Sequence, residues 1–66
     1  MGKFKDAIAM AEAAIERDPE DAYPYLYLGS ALQSTGRWKE GIAAYSKCVH
    51  TAKKGPVAEC RAVGGH

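Results

Sequence analysis

The spacing of apolar positions predicts helices along most of the chain. Within residues 4–15, apolar side chains recur at helical intervals, and residues 38–49 show the same offsets. Between these two stretches, residues 25–32 carry a third apolar stripe with helical spacing. No segment alternates between apolar and polar residues with a period of two, so no strand is predicted.

Helix-breaking residues and caps set the limits of the predicted helices. Pro19, Gly36 and the pair Gly55–Pro56 interrupt the apolar pattern. Asp21 suits the N-cap of the second helix, and Pro24 falls in its first turn, where a missing N–H does no harm. The sequence therefore predicts an all-α fold, an antiparallel array of three helices plus a short fourth, over residues 3–17, 22–34, 37–53 and 56–63.

The chain contains an internal repeat of 34 residues. A shift of 34 places aromatic on aromatic, Phe4 on Trp38, and apolar on apolar, Ile15 on Val49. The same shift matches three charged residues with charges of the same sign. These pairs are Lys3 with Arg37, Lys5 with Lys39 and Asp6 with Glu40. A repeat of this length indicates stacked helical units rather than one self-contained globule.

The repeating residues resemble the tetratricopeptide repeat family. That family's pattern, W-x2-L-G-x2-Y, then A-x3-F, then P, extends over two antiparallel helices. One full copy in this chain reads Tyr25-x2-Leu28-Gly29-x2-Leu32 followed by Gly41-x3-Tyr45. A half copy, Ala7-x3-Ala11 closed by Pro19, precedes it, and Val63–Gly64 matches the next Leu–Gly pair if the linker is one residue longer. The resemblance implies a single unit over residues 1–66 of about one and a half repeats.

Two departures from the family pattern affect the expected packing. Gly41 stands where the family favours Ala, so its helix is expected to approach Gly29 unusually closely. Lys53 stands where the next Pro would fall, which leaves the end of the third helix open. The chain starts at the second helix of one repeat and stops inside the first helix of another, so we expect a fragment of a longer array.

The composition of this short chain predicts that it borrows part of its core. Of the 66 residues 47% are apolar, but alanine dominates them, and small side chains bury little surface. The helix face lined by Phe4, Ile8, Ala11 and Ile15 is expected to stay partly bare. We therefore predict a homo-oligomer in which a second copy covers this face, by exchange of the segment after Gly55 in one variant of the hypothesis.

The resemblance places a partner-binding surface on the inner helices. On the helix over 22–34, a second stripe about 150° from the core stripe carries no charge, although a lone surface helix should present charge there. One interpretation is a groove for an extended peptide, with Arg61 on the next inner helix facing a ligand carboxylate. The other is packing against a neighbouring helix or a second copy. The predicted partner-binding residues are Tyr23, Leu26, Ser30, Gln33, Ser34 and Arg61.

Sites for chemistry find little support. The spacing of Cys48, His50, Cys60 and His66 matches no standard zinc pattern, so neither a metal nor another cofactor is expected. There is no nucleophile elbow and no Gly-rich phosphate loop, which predicts a protein without enzymatic activity. The chain contains no Asn, which disfavours the carboxylate clamp that some tetratricopeptide domains use for chaperone C-termini. The predicted function is a non-enzymatic protein-interaction module, and the alternative is a structural self-assembly module.

Charge and leader signals narrow the partners and the compartment. The net charge is only +1, although residues 1–21 have three more acidic than basic groups and residues 37–54 four more basic than acidic groups. Binding of nucleic acid is therefore not expected. The chain has no apolar run of membrane length, and its first residues carry charges throughout. We therefore predict no membrane insertion and a cytoplasmic localisation. In that setting Cys48 and Cys60 are expected to be free thiols.

Overall fold

The computed structural model describes residues 3–64, and within them it consists of four α-helices joined by short turns. Helix α1 spans Lys3–Arg17, α2 spans Ala22–Ser34, α3 spans Trp38–Thr51 and α4 spans Val57–Gly64. Each helix packs against the next, and α2 also contacts α4. The prediction of an all-α helical array is confirmed.

Both ends of α2 are held by side-chain caps. The Asp21 carboxylate accepts a hydrogen bond from the Tyr23 N–H at 3.1 Å, as expected of an N-cap. At the other end the Thr35 hydroxyl donates to the Leu32 carbonyl at 2.9 Å. Gly36 then takes a φ of 84°, a left-handed conformation that glycine adopts without steric cost, and the chain reverses into α3.

Helix α3 ends two residues before the predicted limit because the residues that follow Thr51 pair with the loop between α1 and α2. The Lys53 and Lys54 N–H groups donate to the Glu20 carbonyl at 2.7 and 3.1 Å, and the Ala22 N–H donates to the Lys54 carbonyl at 3.0 Å. This pairing requires extended backbone after Thr51. A proline in place of Lys53 would have no N–H for Glu20, so this departure from the family pattern supplies a hydrogen bond.

The core lies where α2, α3 and α4 meet. Tyr25, Cys48 and Cys60 are its largest fully buried side chains. The Tyr25 hydroxyl donates to the Pro19 carbonyl at 2.9 Å, so the buried ring keeps its polar atom satisfied. The remaining members are small or only partly buried: Ala22, Ala52, Ile15, Leu26, Val49 and Val57.

Glycines allow the helices to approach closely around the Tyr45 ring. A Cβ built on Gly29 would lie 2.5–2.8 Å from three atoms of this ring, and a Cβ on Gly64 would collide with the same side chain. A Cβ on Gly41 would lie 2.9 Å from the Gly29 carbonyl oxygen, which confirms the predicted close approach. The two glycines thus lie against different parts of the same side chain, Gly29 against Cδ1, Cε1 and Cζ of Tyr45 and Gly64 against its Cβ, Cγ and Cδ2.

The prediction of a bare face on α1 is wrong in its position. Ala11 is buried and Ile15 packs against the core, because this stripe of α1 meets α2 of the same chain. Phe4, at the start of the helix, is half-exposed. The side that no other helix covers lies further round the helix at Met10, whose side chain is 72% exposed.

The expectation of two free thiols is also wrong. Cys48 and Cys60 form a disulfide with a Cα–Cα distance of 6.1 Å, and both are fully buried. The turn after Thr51 brings α4 back across α3, and this places the two residues within the ordinary Cα separation of a disulfide. Helix α4 therefore packs on α3 of its own chain, and the structure shows no exchange of the segment after Gly55.

Candidate interaction surface

A pair of exposed tyrosines begins the free surface of α2. The Tyr23 and Tyr27 side chains are 52% and 66% exposed, and their ring centroids lie 6.4 Å apart with an interplanar angle of 27°. Because the two residues are one helical turn apart, α2 holds them in this stacked arrangement. Ser30 and Ser34 continue the exposed surface towards the end of the helix.

The structure separates the six predicted partner-binding residues into two groups. Tyr23, Ser30, Ser34 and Arg61 are exposed, the first three on α2 and the last on α4. Leu26 is partly buried and packs against the core cluster that contains Cys60. Gln33 is also partly buried, and its Cγ lies close to Gly41 of α3. The helical spacing of α2 placed Leu26 and Gln33 on the uncharged stripe, because spacing along one helix does not show where α3 and α4 lie.

An apolar groove runs between α1 and α2 beside the tyrosine pair. It has a volume of about 460 Å³. The apolar spacing along the chain did not predict this groove, nor the positions of Tyr27 and Met10 beside it, because the groove depends on how two helices lie relative to each other. Its lining is almost entirely apolar and consists of Ala7, Met10, Ala11, Ala14, Asp21, Tyr23, Pro24 and Tyr27. Such a concave apolar surface, bordered by exposed aromatic rings, is suited to packing against a helix or an apolar peptide.

The paired loops form a charged edge next to the first turn of α2. Lys54 Nζ lies 2.6 Å from Asp18 Oδ2, and Lys53 Nζ lies 3.8 Å from Glu20 Oε2. The hydrogen bond from Lys54 lowers the pKa of the Asp18 carboxyl, and Asp18 in turn raises the pKa of Lys54. Both side chains are solvent-exposed, so salt should weaken their attraction.

Acidification is expected to remove the contribution of the Asp18–Lys54 pair. Because the folded chain lowers the pKa of Asp18, the pair stabilises the fold above the unfolded-state pKa, and this contribution is lost as pH falls through the lowered value. Urea unfolding of wild type and Asp18→Asn should therefore differ at neutral pH and converge as the pH falls through the lowered pKa of Asp18. A difference that persists unchanged in acid would contradict the assignment.

The basic residues of the second half are largely occupied by carboxylates. Arg37 lies 3.9 Å from Glu40, and Lys53 and Lys54 pair with the α1–α2 loop. The charges of these three residues are thus partly neutralised locally. The expectation that the chain does not bind nucleic acid stays a prediction.

Among residues 3–64, no group of three or more His, Cys, Asp and Glu side chains is placed to hold a metal ion. Two of the four residues weighed for zinc, Cys48 and Cys60, are bonded to each other, and His66 lies outside the described residues. None of the four helices, over the part of the chain that the structure describes, is long and apolar enough to cross a membrane.

Helix pairs related by a 34-residue shift, with glycines at their contacts and an uncharged inner helix, define a helical-hairpin repeat protein. The family model for the tetratricopeptide repeat matches residues 1–58, and the chain belongs to this family. Members of the family generally mediate protein–protein interactions and are typically not enzymes. Comparison with curated proteins gave no match, and comparison with solved structures gave none either.

Proposed function

We propose that this chain is a non-enzymatic interaction module that binds a peptide or protein partner on the inner surface formed by α2 and α4. It needs no cofactor in this role, and neither nucleic acid nor a membrane is the proposed partner. The proposed contact residues are those predicted from the sequence: Tyr23, Leu26, Ser30, Gln33, Ser34 and Arg61.

The observation that carries this proposal is the composition of the exposed side of α2. This helix contains no charged residue from Ala22 to Ser34, yet its surface presents two stacked tyrosines followed by two serines. Tyrosine buries a large area at small entropic cost and is frequent at interaction hot spots, while serine hydroxyls can bond to an extended backbone. Exposure ranks Tyr23, Ser30 and Ser34 first, with Arg61 supplying a cation for an acidic group of the ligand.

Peptide selection from a random display library tests this proposal and requires no identified partner. Peptides selected against the chain should bind Tyr23→Ala about tenfold more weakly, which corresponds to about 1.4 kcal/mol. Trp38→Ala is the matched control, because Trp38 is an aromatic residue on α3 that is also more than half exposed. Equal affinity for wild type and Tyr23→Ala, or an equal loss in the Trp38 control, would contradict the proposed surface.

A second proposal is that the chain associates with itself. The observation in its favour is the large exposure of Met10 and Tyr27 on either side of the apolar groove between α1 and α2. Burial of these side chains by a second copy would remove apolar surface from water. The mass of the chain in solution, measured by sedimentation at rising concentration, tests this proposal directly.

The cytoplasmic localisation expected from the sequence stays a prediction, and the disulfide argues against it. Disulfides persist in oxidising compartments and are rare where glutathione and thioredoxin keep thiols reduced. Alkylation of unfolded protein taken directly from its source, before any reductant is added, distinguishes the two cases. Labelling of both cysteines would support a cytoplasmic chain, and absence of label would support an oxidising compartment.

A further inference from the structure

The groove between α1 and α2 is the counterpart of an interface that is filled elsewhere in the same chain. The buried residues of α3 are Gly41, Ala44, Tyr45 and Cys48. A shift of 34 residues converts this set into Ala7, Met10, Ala11 and Ala14. These are the four α1 residues that line the groove. We call them the helix seat.

Packing around α3 shows what kind of element fills such a seat. Gly41 lies against the Gly29 carbonyl of α2, and the Tyr45 ring lies against Gly29 itself. Of the four helix-seat residues only Ala11 is buried, where α1 meets α2, and Met10 remains 72% exposed in the part of the chain that the structure describes. By analogy with α2 on α3, the helix seat should bind a helix that has a glycine at the point of closest approach.

Helix α4 has the required residues and an uncovered side. Val63–Gly64 corresponds to Leu28–Gly29 with a shift of 35 residues, and both glycines contact Tyr45. Gly29 is buried because α3 covers it, whereas Gly64 is only partly buried and Val63 is 55% exposed. Thus α4 packs on α3 and touches α2, and no helix within residues 3–64 covers the side of α4 that corresponds to the α3-facing side of α2.

We propose that α4 of one copy docks in the helix seat of a second copy. The two helices would form, between chains, the pair that α2 and α3 form within one chain. Contacts are head to tail, since each copy offers its seat at one end and α4 at the other, and such contacts can add further copies.

The disulfide determines which form of association is available. Because Cys48–Cys60 ties α4 to α3 of its own chain, α4 cannot leave to be exchanged and presents only its free side. Docking and exchange therefore differ in their covalent structure. A docked assembly has intrachain disulfides only, and an exchanged one would have disulfides between chains. Non-reducing electrophoresis after denaturation should show a single-chain band throughout.

This inference rests on the proposed self-association, and complementation between two blocked variants separates the two ideas. Met10→Arg places a charge in the helix seat but leaves α4 intact, and Val63→Arg does the reverse. Both positions are more than half exposed, so each variant should fold, as helical circular dichroism will verify. Glu16→Arg is the control, since Glu16 does not line the α1–α2 groove and lies instead beside a separate cavity that Lys47 of the same chain also lines.

Wild type and Glu16→Arg should increase in sedimentation mass with concentration, whereas each blocked variant alone should remain a single chain. An equimolar mixture of Met10→Arg and Val63→Arg should form a two-chain species and nothing larger, because one intact seat and one intact α4 remain. A single-chain mass for wild type would overturn both self-association and this inference. Association of wild type without complementation in the mixture, or association of Met10→Arg alone, would overturn the α4 assignment and leave self-association standing.

Discussion

Reduction of the Cys48–Cys60 disulfide is expected to lower the free energy of unfolding by about 3 kcal/mol, the value for a bridge that closes a loop of this length. A chain of 66 residues has a total stability of only about 3–10 kcal/mol, so this loss is a large part of it. Helix α4 should separate first. It has eight residues, too few for an isolated helix to be stable, and Cys60 is its only fully buried residue.

Urea unfolding followed by circular dichroism, with and without a thiol reductant, measures this effect on one sequence. The double variant Cys48→Ala, Cys60→Ala is the control, because its unfolding curve should not respond to the reductant. Since both sulfurs are buried, reduction requires prior opening of the fold and should be complete only after unfolding in reductant. Coincident curves for oxidised and reduced wild type would show that the bridge does not stabilise the fold.

Replacement of Gly29 by Val is expected to destabilise the fold by about 3 kcal/mol, at the upper end of the usual cost of overpacking. The new Cβ would lie 2.5–2.8 Å from Tyr45 ring atoms. The ring cannot move away freely, because Gly64 contacts the other part of the same side chain. Helices α2 and α3 would have to separate, and α4 would lose its contact with Tyr45.

Ser30→Val is the matched control for this substitution, since it introduces the same side chain at the next position, which is exposed. Its free energy of unfolding should stay within about 0.5 kcal/mol of wild type. In the Gly29→Val background, Tyr45→Ala should cost much less than it does alone, because it also removes the collision. Additive effects of the two substitutions would show that the ring is not the obstacle.

Local signals in the sequence predicted much of the helical fold. The apolar periods, Asp21 as a cap and the 34-residue shift depend on neighbouring residues or on self-comparison, and the all-α array they predicted is confirmed. The close approach of Gly41 to Gly29 followed from the small residues themselves. These features depend on backbone preference and steric size, which a sequence states directly.

Features that depend on how one helix lies on another were not predictable in the same way. A helical wheel places Leu26 beside Tyr23, but the packing of α2, α3 and α4 leaves Leu26 partly buried against the core. The pairing of Cys48 with Cys60 likewise requires the path of the turn after Thr51, where Lys53 and Lys54 bond to Glu20. The bare side of α1 could have been found, since the shift of 34 residues relates it to the buried side of α3.

The disulfide also limits how far the chain can be stretched. It joins residues 12 apart in sequence across a Cα–Cα distance of 6.1 Å. Fully extended, those 12 residues would span about 40 Å, so a chain pulled by its ends reaches a contour length roughly 35 Å shorter while the bridge is intact. Under tension the oxidised chain has a fixed inextensible segment at α3–α4, and its maximum length becomes a property that redox chemistry controls.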